Sequence, residues 1–352
     1  MKRIILIIII LITLLPSTAQ AGTVSNQLSL AVAAETINWS ERQQALIDYR
    51  QLRVAPGRDF IFQHKQIMQL ARHDRLAPRA ASVMASLRAF GEAGDKPIGT
   101  RILIGAITVQ RIAGAGWQVH PLASAGRLNA RAASIKGNPA KAEAAGRDLA
   151  RIAVNNKSRY EHLFPWLGSK PGWISAMPQA VLASAYTRIW HKSDNDDFRH
   201  LALAALRPLR SAPPRGTTLK FFTGSHALLY PFRPNLRVAN AQLWTTLSVD
   251  EVGQSTGSLP IKELAQSLMR QSLRELPNYA DPKRTRWTLY AIGTDPLAGR
   301  SASSEYHALV VQALRRLCAS GRDQFCPWAD YYGAGMPKVV GSYFGPAFSP
   351  SQ

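Results

Sequence analysis

The sequence predicts a mainly helical fold, an α/α toroid (barrel) preceded by N-terminal helices and a small β-hairpin or sheet region. Apolar residues recur at helical spacing through most of the chain, and long loops rich in Gly, Pro and aromatic residues separate the later helices. These loops cover 157–175, 211–237 and 277–300. Because long loops in a compact domain are usually functional, we expect them to gather at one end of the barrel and to carry the site.

Apolar periodicity and polar helix starts locate the individual helices. Helices are predicted within 60–72, 78–90 and 139–154, and after Asn195, Ser258 and Ser303 or Ser304. The acidic residues around Asn195 are interpreted as a helix cap that faces the positive end of the helix, because no calcium-ligand pattern continues beyond them.

The β region follows the first helices. Short strands are predicted at 101–104, 107–109 and 117–119, with a turn at 114–116. The Gly-Ala-Gly of this turn is a hairpin signal. It is not a dinucleotide-binding motif, because no third glycine opens a helix after it.

The chain is strongly basic. It has 43 Lys and Arg residues against 22 Asp and Glu, a formal charge of +21, while 46% of its residues are apolar. The apolar share is enough for a folded core and excludes a disordered polyelectrolyte. The excess positive charge attracts a polyanion, for which nucleic acid, an anionic membrane surface and an acidic polymer are the candidates.

The first residues decide among these partners. Two basic residues precede an apolar run over 4–15, and Ala19-Gln20-Ala21 fits the small-residue rule for cleavage. This pattern predicts a signal peptide cut after Ala21; the run is short for a bilayer span, so an uncleaved anchor is the weaker alternative. We therefore expect a periplasmic or secreted protein with no stable membrane insertion after cleavage, an acidic polysaccharide as partner, and no nucleic acid.

Length and cysteine content set the organisation of the mature chain. After a signal segment at 1–21, we expect an N-terminal helical region with short strands at 22–125 and the barrel domain at 126–352. Cys318 and Cys326 are the only cysteines, and in an oxidising compartment they can close a disulfide; two free buried thiols are the alternative. No second pair of Cys or His stands at zinc-ligand spacing, so a metal site is not supported.

The long loops carry Tyr, His and Arg but few acidic residues. That scarcity disfavours a two-carboxylate glycosidase, and the sequence lacks nucleophile-elbow, zinc-protease and phosphate-loop motifs. Proton abstraction at C5 of a uronic acid needs a base, an acid and positive charge beside the sugar carboxylate. Tyrosines near arginines suit it, because the arginine charge favours the phenolate. The alternatives are that Tyr290 packs on Trp287, and that Tyr306 belongs to an apolar helical stripe.

Several motifs, in order, resemble a known family. The segment 171–179, Pro-Gly-Trp-Ile-Ser-Ala-Met-Pro-Gln, resembles the Trp-Ile-Ser-Ala-Met-Ala-Gln signature of D-glucuronyl C5-epimerases, which invert C5 of glucuronic acid in heparan-type polymers. The further matches, over 117–332, are Tyr230-Pro231, Asn240, Leu289-Tyr290 and Tyr306-His307. They are similar to the family's Glu-Glu-Tyr-Pro, Leu-Asn-Gly and Asp-Tyr-His motifs.

The resemblance implies an α/α barrel preceded by β structure, with a polysaccharide cleft and three catalytic tyrosines, Tyr230, Tyr290 and Tyr306. The substrate-binding residues expected around them are Trp173, Gln179, Arg233, Asn240, Arg286, Trp287 and His307. The tryptophans either stack on sugar faces or fill the core. His307 either faces the cleft rim or bonds to a loop from the start of its helix.

The chain also departs from the family pattern. The Glu before the first tyrosine is Leu229 here, and the Asp and Arg after the second are Ala291 and Gly293. Leu cannot take a proton, so we consider Arg233, Arg286 and His226 as replacements for the lost charge.

Three functions follow from these residues. The first is an epimerase that acts on a uronate polymer by Tyr-assisted proton abstraction and return. The second is a uronate polysaccharide lyase, in which the same carbanion eliminates the 4-linked sugar. The third is a non-catalytic acidic-glycan-binding protein that has lost the base. We expect the epimerase, without a cofactor, and leave a homodimer open.

Overall fold

The computed structural model describes residues 23–336, so the predicted signal peptide at 1–21 and the predicted barrel residues 337–352 lie outside the described residues. The helices are α1 (Val24–Ala33), α2 (Trp39–Val54), α3 (Arg58–Arg72), α4 (Ala80–Ala93), α5 (Pro121–Ala133), α6 (Ala140–Arg151), α7 (Ala176–Ser193), α8 (Asp196–Ala205), α9 (Ala239–Thr256), α10 (Leu259–Glu275), α11 (Ser304–Ala319) and α12 (Cys326–Gly333). The strands are β1 (Arg101–Ile104), β2 (Ile107–Ile112), β3 (Gly116–Val119), β4 (Thr218–Phe221), β5 (Gly224–Ala227), β6 (Arg237–Val238) and β7 (Ala291–Ile292). The described chain is therefore mainly helical, as predicted.

Some of the helices begin at a residue whose polar side chain accepts a free backbone N–H of the first turn. Asn195 accepts the N–H of Asp197 at 3.1 Å and starts α8, which confirms the interpretation of the acidic cluster as a helix cap. Ser303 accepts the N–H of Tyr306 at 3.3 Å and starts α11. The second cap fixes the start of α11 and therefore the position of Tyr306 in its first turn.

The three-stranded sheet is antiparallel, in the order β1-β2-β3. The predicted strands and turn are confirmed, since Ile112 pairs with Gly116 across the turn and Arg101 pairs with Gln110 across β1 and β2. Trp117 is fully buried and donates its indole N–H to the carbonyl of Gly94 at 2.8 Å, beyond the end of α4. This contact ties the sheet to the N-terminal helices.

The later helices form a continuous series of packed neighbours. α7 packs against α5 and α9, and α9 packs in turn against α11. α6, α8 and α10 each pack against members of this series. These contacts give a layered helical domain, but they do not establish a closed ring, so the toroid stays a prediction.

Short strands inside the long loops bring distant segments together. β6 pairs antiparallel with β7, with Val238 opposite Ala291. The N–H of Ala239 also donates to the carbonyl of Tyr290 at 3.1 Å. As a result, the loop before α9 and the loop before α11 are joined through their backbones.

The structure contains a disulfide between Cys318 and Cys326, with an S–S distance of 2.00 Å and a Cα–Cα distance of 4.9 Å. It links the last turn of α11 to the first residue of α12.

Of the helices in residues 23–336, none combines the length and the apolar character needed to cross a bilayer.

A buried ion pair holds the first long loop against the N-terminal helices. The guanidinium of Arg79 donates to both carboxylate oxygens of Glu161, at 2.8 and 3.1 Å, and the two side chains are 11% and 7% exposed. Glu161→Ala leaves this arginine buried without its partner, so we expect the free energy of unfolding to fall by about 3 kcal/mol. Chemical denaturation measures this loss.

The matched control is Glu92→Ala, which removes the exposed pair that Glu92 forms with Arg88 one helical turn away. Its cost should be about 0.5 kcal/mol or less. Equal losses in the two variants would contradict the structural role given to the buried pair.

Candidate functional site

A cavity of 390 Å³ lies between the three-stranded sheet, the start of α5 and the long loops. The residues that line it from the sheet side and α5 are Ile98, Gly99, Arg101, Gln110, Arg111, Ile112, Ala113, His120, Leu122 and Ala123. Those that line it from the rest of the chain are His162, Phe164, Trp166, Trp173, Ser175, Met177, Pro178, Leu229, Tyr230, Asn240, Tyr306 and Leu309. A largely apolar wall with a few polar groups is typical of a site for a small ligand or one unit of a polymer.

The three tyrosines named from the sequence are in contact with one another at the edge of this cavity. The hydroxyls of Tyr230 and Tyr290 are 3.2 Å apart, within hydrogen-bond distance. The rings of Tyr290 and Tyr306 pack edge to face, with centroids 4.9 Å apart. Tyr230 and Tyr306 line the cavity, and Tyr290, which does not line it, contacts both. The three residues thus form a contiguous cluster, two members of which belong to the cavity wall.

The backbone explains how these positions come together. Tyr290 directly precedes β7, its N–H donates to the carbonyl of Arg300 at 2.8 Å, and its carbonyl accepts from Ala239. Tyr306 lies in the first turn of α11, held there by the Ser303 cap. The pairing of β6 with β7 places Tyr290 against the loop that carries Tyr230.

The electrostatics of Tyr290 differ from the expectation that neighbouring arginines favour a phenolate. Burial raises the pKa of Tyr290 far above its usual value, and the nearby hydroxyl of Tyr230 raises it further. The expectation is therefore wrong for this residue. Arg233, the arginine closest in sequence to Tyr230, is instead paired with Asp295. Tyr290 keeps its proton at neutral pH.

An aromatic wall borders the phenols. Trp173 stacks on His162 with ring centroids 3.8 Å apart and planes 8° apart, and its centroid lies 6.1 Å from that of Tyr230. The indole N–H of Trp173 donates to the carbonyl of Phe164 at 2.8 Å, which fixes the ring. Trp166, also on the cavity, is 44% exposed. An open tryptophan beside a cavity offers a flat surface to a sugar ring.

Two histidines that no sequence motif indicates also line the cavity. His120 and His162 face each other edge to face, with centroids 6.0 Å apart. Burial is the main reason that the pKa of His120 falls to about 4, and the cation of Arg101 adds to it. Burial also lowers the pKa of His162 well below its usual value, with a further contribution from His120. Both imidazoles are therefore neutral at pH 7.

Several polar atoms of the cavity lining are buried without a hydrogen-bond partner. They are Nδ1 of His162, Oγ of Ser175 and Oδ1 of Asn240. Buried polar atoms in folded proteins are nearly always hydrogen-bonded, so each such atom calls for an explanation. A polar ligand in the cavity is one, because its hydroxyls can bond to groups of this kind.

Trp287 and His307 do not line the cavity. They stack on each other with centroids 3.9 Å apart. His307 is fully buried and lies 3.1 Å from the hydroxyl of Thr288 and 3.2 Å from the carbonyl of Tyr332. The indole of Trp287 donates to the carbonyl of Ala302 at 2.8 Å. Of the alternatives left open from the sequence, the structure matches the one in which His307 bonds to a loop and the one in which Trp287 fills the core.

Gln179, Arg233 and Arg286 also lie away from the cavity lining. Gln179 is fully buried, with its amide against the backbone of Tyr160. Arg233 forms two hydrogen bonds with the carboxylate of Asp295, at 2.7 and 2.8 Å. Arg286 is exposed and has a left-handed backbone, with φ of 60°. Of the seven substrate-binding candidates, the described cavity includes Trp173 and Asn240.

The groups considered as replacements for the missing family carboxylate are placed elsewhere. Nδ1 of His226 is 2.7 Å from the carboxylate of Glu275, and this histidine is fully buried. Leu229 lines the cavity next to Tyr230, so this part of the wall is apolar. Among the described residues, no group of three or more Cys, His, Asp and Glu side chains is placed to hold a metal ion.

With the geometry established, the comparisons with known proteins identify the family. The sequence model of the D-glucuronyl C5-epimerase C-terminus matches residues 147–328, more than half of the chain. The chain belongs to this family. The matched segment contains all three clustered tyrosines and Asn240, whereas the sheet and His120 precede it. A search of curated protein sequences finds no match.

Comparison with solved structures gives matches of low sequence identity, three of which follow with their TM-scores. An inactive variant of an alpha-1,6-mannanase from Salegentibacter, solved with alpha-1,6-mannotriose, is 10% identical with a TM-score of 0.47, covering 68% of this chain and 67% of its own. Cellobiose 2-epimerase from Bacillus thermoamylovorans is 8% identical, with a TM-score of 0.45 and coverage of 60% and 58%. Unsaturated glucuronyl hydrolase from Bacillus sp. GL1 is 15% identical, with a TM-score of 0.41 and coverage of 60% and 61%.

The buried histidines predict how stability depends on pH. Burial lowers the pKa of His120 and of His307 to about 4, whereas an imidazole in the unfolded chain titrates near its ordinary value of about 6.5. Between these values the unfolded state binds more protons. The free energy of unfolding should therefore decrease as pH falls from about 6.5 to about 4, by about 1 kcal/mol per pH unit for each histidine.

Denaturant titrations at several pH values measure this slope. His307→Gln should flatten it relative to the unchanged protein, whatever the variant does to stability at pH 8. A slope that stays the same in the variant would show that this imidazole is not held neutral by the fold.

Proposed function

We propose that this protein is an exported enzyme that inverts C5 of uronic acid residues in an acidic polysaccharide, by Tyr-assisted removal and return of a proton. The observation that carries the proposal is the cluster of Tyr230, Tyr290 and Tyr306, which come from two separate loops and a helix start and of which Tyr230 and Tyr306 line one cavity. Membership of the D-glucuronyl C5-epimerase C-terminus family supports the same reaction class.

The reaction defines what the site must supply. The C5–H bond breaks, and its electron pair moves into the adjacent carboxylate to form an enediolate. A proton delivered to the opposite face of C5 forms the new C–H bond, and the carboxylate is restored. The balance requires one proton acceptor and one proton donor, and it consumes no oxidant or reductant. Two phenols on one cavity can fill these roles.

The positions of the tyrosines suggest a division of labour. We assign the proton exchange with C5 to Tyr230 and Tyr306, because both line the cavity. Tyr290 does not line it, but its hydroxyl lies 3.2 Å from that of Tyr230. Because burial raises the pKa of Tyr290, this phenol keeps its proton and can donate it in a hydrogen bond to Tyr230 when Tyr230 acts as the base. Such a bond stabilises a phenolate, so Tyr290 acts as a positioning residue.

Other cavity residues suit a sugar. Trp166 and Trp173 present aromatic surfaces on which a pyranose face can stack. The unpartnered oxygens of Ser175 and Asn240 are placed to bond to sugar hydroxyls. Pyranose rings have apolar faces and polar edges, which match these two kinds of residue. The cavity volume of 390 Å³ also falls within the range of about 300–1,000 Å³ found for small-ligand sites.

A non-catalytic acidic-glycan-binding protein is the second candidate. The observation in its favour is Leu229, which lines the cavity and cannot exchange a proton. If a carboxylate at this position were indispensable, the cavity would bind the sugar without converting it. A uronate lyase forms the same carbanion as the proposed epimerase. It differs in the next step, in which the carbanion eliminates the 4-linked sugar instead of regaining a proton.

One assay separates these functions. The mature protein is incubated with a glucuronate-containing polymer in deuterated water. Deuterium at C5 with inverted stereochemistry supports the epimerase, an unsaturated product that absorbs ultraviolet light supports the lyase, and binding without either supports the glycan-binding protein. The last two outcomes overturn the epimerase.

Substitution of the tyrosines tests their roles. Tyr230→Phe and Tyr306→Phe should lower the rate of deuterium uptake by at least about 100-fold, because each removes a proton-transfer group. Tyr290→Phe should lower it by about 10-fold, the effect of one hydrogen bond in the transition state. Tyr331→Phe is the matched control, since Tyr331 is 42% exposed and does not line the cavity. Unchanged rates in the first two variants would remove these phenols from the mechanism.

A further inference from the structure

Arg101 is a cation of the cavity wall with no acidic partner. It lies at the start of β1, and its Nε donates to the side-chain oxygen of Gln110, directly opposite on β2, at 2.9 Å. Within residues 23–336, no carboxylate forms a salt bridge with it, and none lines the cavity. The hydrogen bond to Gln110 orients the guanidinium and leaves its two terminal nitrogens available.

Arg111, the other arginine of the lining, has a different environment. Its guanidinium contacts the carboxylates of Asp59 and Asp95, and it lies over the ring of Phe60. Its charge is therefore compensated, and its side chain is held by the N-terminal helices. The uncompensated positive charge of the described cavity wall comes from Arg101.

His120 adds a hydrogen-bond donor beside this cation. Its Nδ1 accepts the N–H of Ala123 at 3.2 Å, as the cap of α5. A neutral imidazole whose Nδ1 accepts must carry its proton on Nε2, so that atom is a donor. Arg101 and His120 line the same cavity, and the cation of Arg101 adds to the lowering of the pKa of His120. Leu122 and Ala123, in the first turn of α5, also line the cavity, and the start of a helix attracts anions.

We propose that Arg101 and His120 form a carboxylate-binding subsite, in which the guanidinium and the Nε2–H bind a carboxylate of the acidic glycan. The proposal rests on the proposed function for the class of ligand. It adds that selection of an acidic over a neutral glycan is made by the N-terminal sheet and the start of α5. Both lie before residue 147, where the match to the epimerase family begins.

Independent observations indicate that the same cavity holds a polar ligand. Oγ of Ser175 and Oδ1 of Asn240 are buried without partners, and Ser175 and Asn240 are 1% and 4% exposed. A glycan bound with its carboxylate at the sheet would bring hydroxyl groups into the same space. The cation and the unpartnered oxygens thus account for different parts of one ligand.

The test compares two polymers that differ at one position of the sugar, which carries a carboxylate in one polymer and an uncharged hydroxymethyl group in the other. A polymer of alternating glucuronate and N-acetylglucosamine and its carboxyl-reduced form, in which glucose replaces glucuronate, are titrated calorimetrically at constant low salt. The unchanged protein should bind the acidic polymer at least about 10-fold more tightly, the usual effect of a charge-assisted contact. Arg101→Gln should weaken binding of the acidic polymer about 10-fold and of the reduced polymer less than about twofold.

Three further variants sharpen the result. Arg101→Lys keeps the charge but loses the planar guanidinium. Its affinity for the acidic polymer should therefore lie between that of the unchanged protein and that of Arg101→Gln. His120→Ser keeps a residue that caps α5 well and removes the imidazole donor, and should weaken acidic binding about threefold. Arg270→Gln, at an exposed arginine of α10 away from the cavity, removes the same charge and should change nothing.

The proposal is overturned if the unchanged protein does not prefer the acidic polymer, if Arg101→Gln weakens both polymers equally or neither, or if Arg270→Gln has the same effect. The titrations are run beside the deuterium assay. Deuterium uptake without a charge preference removes the carboxylate subsite alone. A charge preference that Arg101→Gln abolishes, without deuterium uptake, retains the subsite and removes the epimerase.

Discussion

The candidate site depends on one backbone pairing, that of β6 with β7. Two residues on each side suffice to join the loop before α9 to the loop before α11. The N–H of Ala239 completes the junction by donating to the carbonyl of Tyr290. Because the backbone positions Tyr290, its partly buried side chain can contact two other tyrosines without support from charged side chains. The cost of burying a hydroxyl is offset by its hydrogen bond to Tyr230.

How well the sequence predicts each element depends on how many faces that element buries. α10 buries one stripe, and its apolar periodicity together with Ser258 locates it closely. α11 buries a full turn over 307–311 and exposes its end, and its apolar residues together with Ser303 also locate it. α7 and α9 are buried on almost every side, so small and polar residues such as Thr245 and Ser248 stand among the apolar ones. Buried helices of this kind lack the amphipathic period, and ring closure depends on contacts that no local pattern encodes.

The same distinction applies to the site. Tyr230, Tyr290 and Tyr306 could be named from ordered motifs. His120 and His162 could not, because His120 appears in the sequence only as the residue before a helix-opening proline and His162 as one aromatic among several. Their role follows from the fold, which sets the sheet beside the first long loop. Which arginines are free to meet a ligand was the least predictable feature, because Arg233 and Arg111 each form a salt bridge with an acidic residue distant in sequence.

That pairing of arginines changes how the large positive charge should be understood. The chain has 43 basic and 22 acidic residues, but the cleft is not uniformly positive, because Glu161, Asp295 and Asp59 each pair with an arginine. The charge that a ligand meets is what remains after this pairing. In the described cavity it remains on the sheet, whereas the family segment supplies the tyrosines of the lining. A chain reduced to residues 147–328 would therefore keep the tyrosines and lose the wall that gives the cavity its charge.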